Sequence, residues 1–156
     1  MPTPSRYPIT LIHLESALAV VVGGGIVGER KVRGLLAANA RIRLIAPAST
    51  PALAAWAESG QIEWIQKEYQ AGDLAGAGIV FAATNVRAVN RAATVEALSR
   101  GLLVNVADAP TEGNFHAPAV HRTDEAVIAI SSYAGRPGIA TRLRARIAEF
   151  LVGERI

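Results

Sequence analysis

The chain contains no cysteine. Disulfide bonds, thiolate nucleophiles and cysteine-based zinc or iron–sulfur centres are thereby excluded for it. Lysine is almost absent too: Lys31 and Lys67 are the only two, so the formal net charge of +3 and the pI near 9.8 rest on arginine. Aromatic residues make up 5% of the chain and the basic residues are scattered, which leaves no stacking platform for bases and no nucleic-acid motif. No nucleic-acid partner is expected. No apolar run is long enough to span a bilayer, and Met1-Pro2-Thr3-Pro4-Ser5-Arg6 lacks the continuous apolar stretch of a secretory signal. The expectation is a cytoplasmic protein without a membrane partner. His13, His116 and His121 are separated by at least five residues, and no cysteine or glutamate partner completes a ligand set, so no metal site is expected. Internal repeats and low-complexity segments are missing as well.

What is present suits one α/β domain with a short appendage: 156 residues, 51% hydrophobic and 19% charged. Guanidinium forks match carboxylate and phosphate oxygens in pairs, so the arginine excess suits a polyanionic ligand, although arginine enrichment more often reflects genome composition. The most informative run is Val20-Val21-Val22-Gly23-Gly24-Gly25-Ile26-Val27-Gly28, a β-branched strand breaking into Gly-x-Gly-x-x-Gly. Gly23 permits the tight turn, Gly25 lets a pyrophosphate approach the backbone, and Gly28 lets the next helix pack on the strand. A helical pattern follows, carried by Val27, Val32, Leu35 and Leu36 and ended at Asn39, and then the strand Ile42–Ile45. That context favours a dinucleotide site over a plain glycine-rich turn.

Further along, Ser49-Thr50-Pro51 caps a helix running to about Glu58, Ile62–Ile65 is a short strand, and Tyr69–Ala77 is a loop or short helix. Gly78–Thr84 reads as a buried parallel strand, Arg87–Arg100 as a helix, and Leu102–Val106 as the next strand. The alternation predicts a Rossmann-like, doubly wound parallel sheet. Beyond it, Thr111–Thr123 reads as loop, Ala126–Ser131 as a strand, and Arg136-Pro137-Gly138 opens a helix striped by Ile139, Leu143 and Ile147. The division is therefore a nucleotide-binding domain over residues 1–112 and a C-terminal strand–helix appendage over 113–156. A lone strand and helix cover their apolar faces poorly, so the appendage is expected to form a homodimer, the alternative being that it folds back on its own sheet.

The carboxyl edge of such a sheet is where ligands bind, and several residues fall there. Asp108, just past the fifth strand, is either a general base or the start of the turn into Pro110. Thr84 and Asn85 either hydrogen-bond a ribose or pyrophosphate or cap the next helix, and Asn90 either joins them or packs that helix. After the second strand stands Ala46-Pro47-Ala48, with no acid for a ribose 2′-hydroxyl. Arg136, Arg142, Arg144 and Arg146 form either a rim for substrate carboxylates or a solvated helix face.

Three segments together resemble the precorrin-2 dehydrogenase and sirohydrochlorin ferrochelatase family, the module at the N-terminus of siroheme synthases. They are Val22–Lys31, with Gly28 where the family usually has alanine; Ala82–Asn90; and Asn105-Val106-Ala107-Asp108-Ala109-Pro110 followed by Phe115–Ala119 and Ile130–Pro137. The resemblance implies oxidation of precorrin-2 to sirohydrochlorin with NAD as hydride acceptor, and iron insertion in bifunctional members. Asp108 matches the family's catalytic aspartate and Ser132 a serine that lines its tetrapyrrole pocket; Asn105 and Arg136 are further candidate substrate-binding residues. Ile26, Val27, Pro47 and Ala48 match the family's cofactor contacts; Gly23, Gly25 and Gly28 join them through the turn motif, and Thr84 and Asn85 through their place at the sheet edge. Many members continue into a further helical region beyond the point where this chain ends at Ile156, which makes iron insertion a question separate from dehydrogenation. The competing expectation is a regulatory NAD-sensing module that binds nucleotide without chemistry.

Overall fold

A computed structural model describes residues 7–132 and 137–153. Thr10–Phe115 form one compact unit, and the described residues of His116–Ile156 group with the described residues before Thr10 as a second. The first unit runs β1 (Leu18–Val22), α1 (Ile26–Leu36), β2 (Arg41–Ile45), α2 (Pro51–Glu58), β3 (Glu63–Ile65), β4 (Ala77–Ala82), α3 (Arg87–Ser99) and β5 (Leu103–Val106), then a 3-10 turn at Pro110–Glu112. All five strands are parallel, in the order β3-β2-β1-β4-β5. This is the Rossmann-like arrangement expected from the alternation of strands and helices, and the order reverses at β1, where ligands enter such sheets.

Burial explains why these segments are strands. All five residues of β1 are buried, because helices cover both faces of a parallel sheet and alternation of polar and apolar residues disappears. On one face Ala19, Val21, Leu44 and Phe81 meet Val32 and Leu35 of α1 and Leu53 of α2. On the other, Val20, Val22, Val80 and Val104 meet Ala93 and Ala97 of α3. The small alanines of α3 let that helix lie close to the sheet. Thr50 caps α2 by accepting a hydrogen bond from the Leu53 N–H at 3.4 Å, with Pro51 in the first turn where its missing N–H costs nothing.

The free edge of β5 is closed by one asparagine. The Asn114 side chain accepts from the Val104 N–H and donates to the Leu102 carbonyl, each at 2.8 Å, while its own N–H reaches the Val104 carbonyl at 3.1 Å. Backbone groups that would otherwise invite another strand are thereby satisfied.

Two expectations are corrected or sharpened. Tyr69–Ala77 holds turns and no helix, since its anchors are side chains rather than backbone periodicity: the Tyr69 hydroxyl and the Gly72 N–H (2.9 Å) both donate to Glu96 of α3, and Lys67 pairs with Asp73 at 2.7 Å. Thr111–Thr123 is not all loop. Ala119–Arg122 forms β6, antiparallel to β7 (Val127–Ile130), with Ala119 opposite Ile130. The connecting turn contains no glycine; the Thr123 hydroxyl organises it by accepting from the N–H groups of Glu125 and Ala126, which is why no hairpin signal stood out. The second unit therefore contains a hairpin and α4 (Pro137–Gly153), not a lone strand and helix. Among the described residues no helix is long and apolar enough to cross a membrane.

Glu96 gives a measurable handle on the first unit. Burial pushes its carboxyl up, but the hydrogen bonds from Tyr69 and Gly72 and the charge of Arg100 outweigh that and hold it below the usual range. A carboxyl depressed in the folded state adds stability above its unfolded pKa, about 4.3, and loses it as pH falls through the folded value. Glu96→Gln should therefore cost about 1.5–3 kcal/mol at neutral pH, the range for hydrogen bonds to a charged group. Thermal unfolding should show the gap to wild type closing below about pH 4.

Candidate functional site

The chain passes from β1 into α1 through backbone contacts that admit no side chain. Gly23 has φ +119°, a region closed to most residues, and a Cβ there would lie 2.5 Å from the Ala83 carbonyl oxygen. At Gly28 a Cβ would lie 2.0 Å from the Gly23 carbonyl oxygen, so α1 packs directly on the turn. Gly24, which the motif leaves open, is equally constrained: a Cβ would meet the Ala48 carbonyl oxygen at 2.0 Å. The signal for it was only a third consecutive glycine. Gly25 differs from these, for nothing lies within 4 Å of its Cβ position. It is also the N-cap of α1 and makes no side-chain cap, so the N–H groups of the first turn, at Ile26, Val27 and Gly28, end the helix without a capping side chain. Open space above a glycine and an uncapped, partially positive helix end make a cradle for phosphate oxygens. The residues present fit a dinucleotide.

The loop after β2 is held against this turn. The Thr50 N–H donates to the Gly24 carbonyl at 2.9 Å, and the Thr50 hydroxyl, followed by Arg33 at 2.6 Å, holds the Glu29 carboxyl below its usual range. Pro47 and Ala48 are exposed at the loop's crest. Arg43, the nearest basic side chain in β2, is committed to Glu63 at 2.7 Å.

The β4–α3 loop is organised by a residue that sequence reasoning left undecided. Asn90 is fully buried, and its amide makes three hydrogen bonds to Thr84: it accepts from the N–H (3.0 Å) and the hydroxyl (2.8 Å) and donates to the carbonyl (3.0 Å). The Thr84 hydroxyl also accepts from the Val86 N–H at 3.0 Å. Thr84 thus shapes the loop, and Asn85 is exposed at its tip.

Beyond the strand ends the hydrogen-bond ladder continues. The N–H groups of Gly23, Ala83 and Ala107 donate to the carbonyls of Ile45, Val22 and Ala82 at 3.0, 2.8 and 2.9 Å. This carries the edge from β2 across the glycine turn to Ala107, and Asp108 follows immediately. Its side chain is 34% exposed, and its carboxylate lies 3.5 Å from a guanidinium nitrogen of Arg87, at the start of α3. The other nitrogen of that fork is bonded to Glu112. Asn105 is buried with its amide donating to the Phe115 carbonyl at 3.1 Å, and the Phe115 ring stands edge-on to Phe81 at 5.5 Å. Lys31 lies over the Phe81 face, its ammonium pushed down by burial and then by Arg30. Ser132 lies half-buried just after β7 in the second unit, and Arg136 is outside the described residues. Among the described residues no cluster of three or more His, Asp or Glu side chains gathers at metal-binding distance.

Comparison with known proteins places these features. The family model described as "Putative NAD(P)-binding" matches residues 10–119. Siroheme synthase 1 of Aeromonas salmonicida is 38% identical over 139 residues, covering 89% of this chain and 30% of its own length. Siroheme synthase of Gluconacetobacter diazotrophicus is 40% identical over 148 residues, covering 92% of this chain and 31% of its own. The chain thus spans under a third of the length of these curated relatives. Among solved structures, SirC, a precorrin-2 dehydrogenase, superposes with a TM-score of 0.81 at 28% identity, covering 93% of this chain and 71% of that one. The chain belongs to the NAD(P)-binding family of that model, in the group formed by the siroheme synthase N-terminal module and precorrin-2 dehydrogenase.

Proposed function

We propose that the chain is a cytoplasmic precorrin-2 dehydrogenase that oxidises its substrate to sirohydrochlorin with NAD. The observation that carries this reading is the continuous edge from the open cradle at Gly25 to the carboxylate of Asp108. The names of the siroheme synthase relatives and of SirC supply the substrate class. Removing two hydrogens from the reduced macrocycle sends one away as a hydride and the other as a proton. A bound nicotinamide supplies the hydride acceptor. Asp108 accepts the proton and passes it to solvent through its exposed third, so the balance is precorrin-2 plus NAD⁺ giving sirohydrochlorin, NADH and H⁺.

The remaining chain divides the work. The first turn of α1 holds the pyrophosphate, with Gly23, Gly24 and Gly28 holding that turn in shape. Pro47 and Ala48 face the adenosine ribose, and Asn85 offers a polar contact from its exposed loop tip. Asn105, whose amide holds the Phe115 carbonyl, is assigned to the tetrapyrrole from the first unit, and Ser132 is assigned to it on the family resemblance alone. NAD is favoured over NADP because Ala46–Thr50 carries no cation for a 2′-phosphate and Arg43 is held by Glu63. A homodimer is assigned to the second unit, where Leu143 (43% exposed) and Phe150 (62% exposed) leave apolar surface on α4.

Asp108→Ala should lower kcat by 10²-fold or more, the usual share of a general base, while leaving the Kd for NAD unchanged. Anaerobic mixing with precorrin-2 and NAD, following NADH and sirohydrochlorin absorbance, measures this. Tight NAD binding without turnover in the wild type would instead support a regulatory nucleotide sensor. Gly25→Ala should fold with wild-type thermal stability, since its Cβ meets no protein atom, yet lose at least tenfold in NAD affinity. Gly28→Ala should lower thermal stability in this chain, because its Cβ would meet the Gly23 carbonyl oxygen at 2.0 Å and the β1–α1 turn must shift to take the alanine that the family usually carries there. The ratio kcat/KM for NAD should exceed that for NADP by tenfold or more in steady-state assays.

A further inference from the structure

Arg87 occupies a place that local physics disfavours. It begins α3, whose first turn contains no acidic residue and whose N-cap, Val86, makes no side-chain cap. A cation there opposes the helix dipole. A residue that breaks a local rule needs a compensating contact elsewhere, and such sites are often functional. Arg87 has two, one to Glu112 and one to Asp108.

The two contacts are unequal. Glu112, on the 3-10 turn that follows Asp108, holds one nitrogen of the fork in a direct hydrogen bond. Asp108 lies 3.5 Å from the other nitrogen, outside the 2.7–2.9 Å of a charge-assisted hydrogen bond. Glu112 therefore anchors the guanidinium. Asp108 lies beside its charge, and among the described residues its carboxylate accepts no closer hydrogen bond. A planar fork with one tine fixed and one facing a carboxylate sets the direction of that carboxylate, which a lysine ammonium, having no plane, does less well.

We propose that Arg87 is the positioning residue for Asp108 and that Glu112 acts through Arg87 by holding its guanidinium in place. This rests on the role of Asp108 as proton acceptor proposed above. The fork keeps the carboxylate aimed at the edge where the substrate's proton departs, and removing it leaves the base present but misdirected. An error of about 1 Å in such a group costs on the order of 10²-fold in rate.

The test uses Arg87→Gln, Arg87→Lys, Glu112→Gln and the double variant Arg87→Gln/Glu112→Gln in the full chain. Arg87→Gln should lower kcat for precorrin-2 oxidation at least tenfold with KM changed less than threefold. Arg87→Lys should recover only part of the loss. Glu112→Gln should lower kcat by a smaller factor, and the double variant should match Arg87→Gln alone, because Glu112 has nothing left to hold. A merely structural role would instead change KM and thermal stability together. A kcat within twofold of wild type in Arg87→Gln, or additive losses in the double variant, overturns the proposal. Crystal structures of wild type and Arg87→Gln provide the arm independent of turnover: the Asp108 carboxylate should leave its position in the variant, and its staying in place overturns the proposal. If the wild type shows no turnover, the dehydrogenase reading fails by itself, and the Asp108 position in these two structures still decides the role of Arg87.

Discussion

The architecture depends on backbone meeting backbone at the end of β1. Three carbonyl oxygens, those of Ala83, Ala48 and Gly23, occupy the space where side chains of Gly23, Gly24 and Gly28 would stand. Removing those Cβ atoms brings the β4 end, the β2 loop and the first turn of α1 into contact with one short segment. Hydrogen bonds from Gly23 to Ile45 and from Ala83 to Val22 then hold the strand ends in line. Packing of this kind tolerates no added atoms, because protein interiors are filled to crystalline density and carbonyl groups do not yield as flexible side chains do.

On that rigid edge the electrostatics are divided. At the β1–α1 junction the helix end is open and partially positive, with exposed Ile26 and half-buried Val27 beside it. At the β5 end the local charge is acidic, Asp108 and Glu112, with Arg87 between them. The anionic cofactor group and the proton acceptor proposed above therefore have separate places along one ladder. Neither has to be built from a mobile loop: Asn90, buried and triply bonded to Thr84, stiffens the segment between them. Such support from behind the site is what holds reacting groups to sub-ångström positions.

Much of this was legible in contiguous residues. The β-branched run before Gly23, the spacing to Gly28 and the arrival of Ile42–Ile45 within one βαβ length announced the fold, and the Asn105–Pro110 segment pointed to Asp108. Harder to see were the features whose meaning lies in a distant partner. Gly24 looked like a variable position, since the motif specifies only its neighbours. Asn90 had two readings, and only its burial against Thr84 gives it the organising role. β6 escaped because its turn is made by a threonine hydroxyl rather than by Asn-Gly or Asp-Gly. Arg87 looked like any first residue of a helix.

By itself the sequence determined the strands and helices of the parallel sheet and the glycine turn, because periodicity and the steric needs of a tight turn are written in residues a few positions apart. Tertiary structure alone decided which side chains act together. Arg87 and Glu112 are 25 residues apart, Tyr69 and Glu96 27, and Arg43 and Glu63 20. An ion pair or a buried hydrogen bond has a steep dependence on distance and none on chain separation. Its partners are chosen only when the sheet has brought the strand ends to one edge.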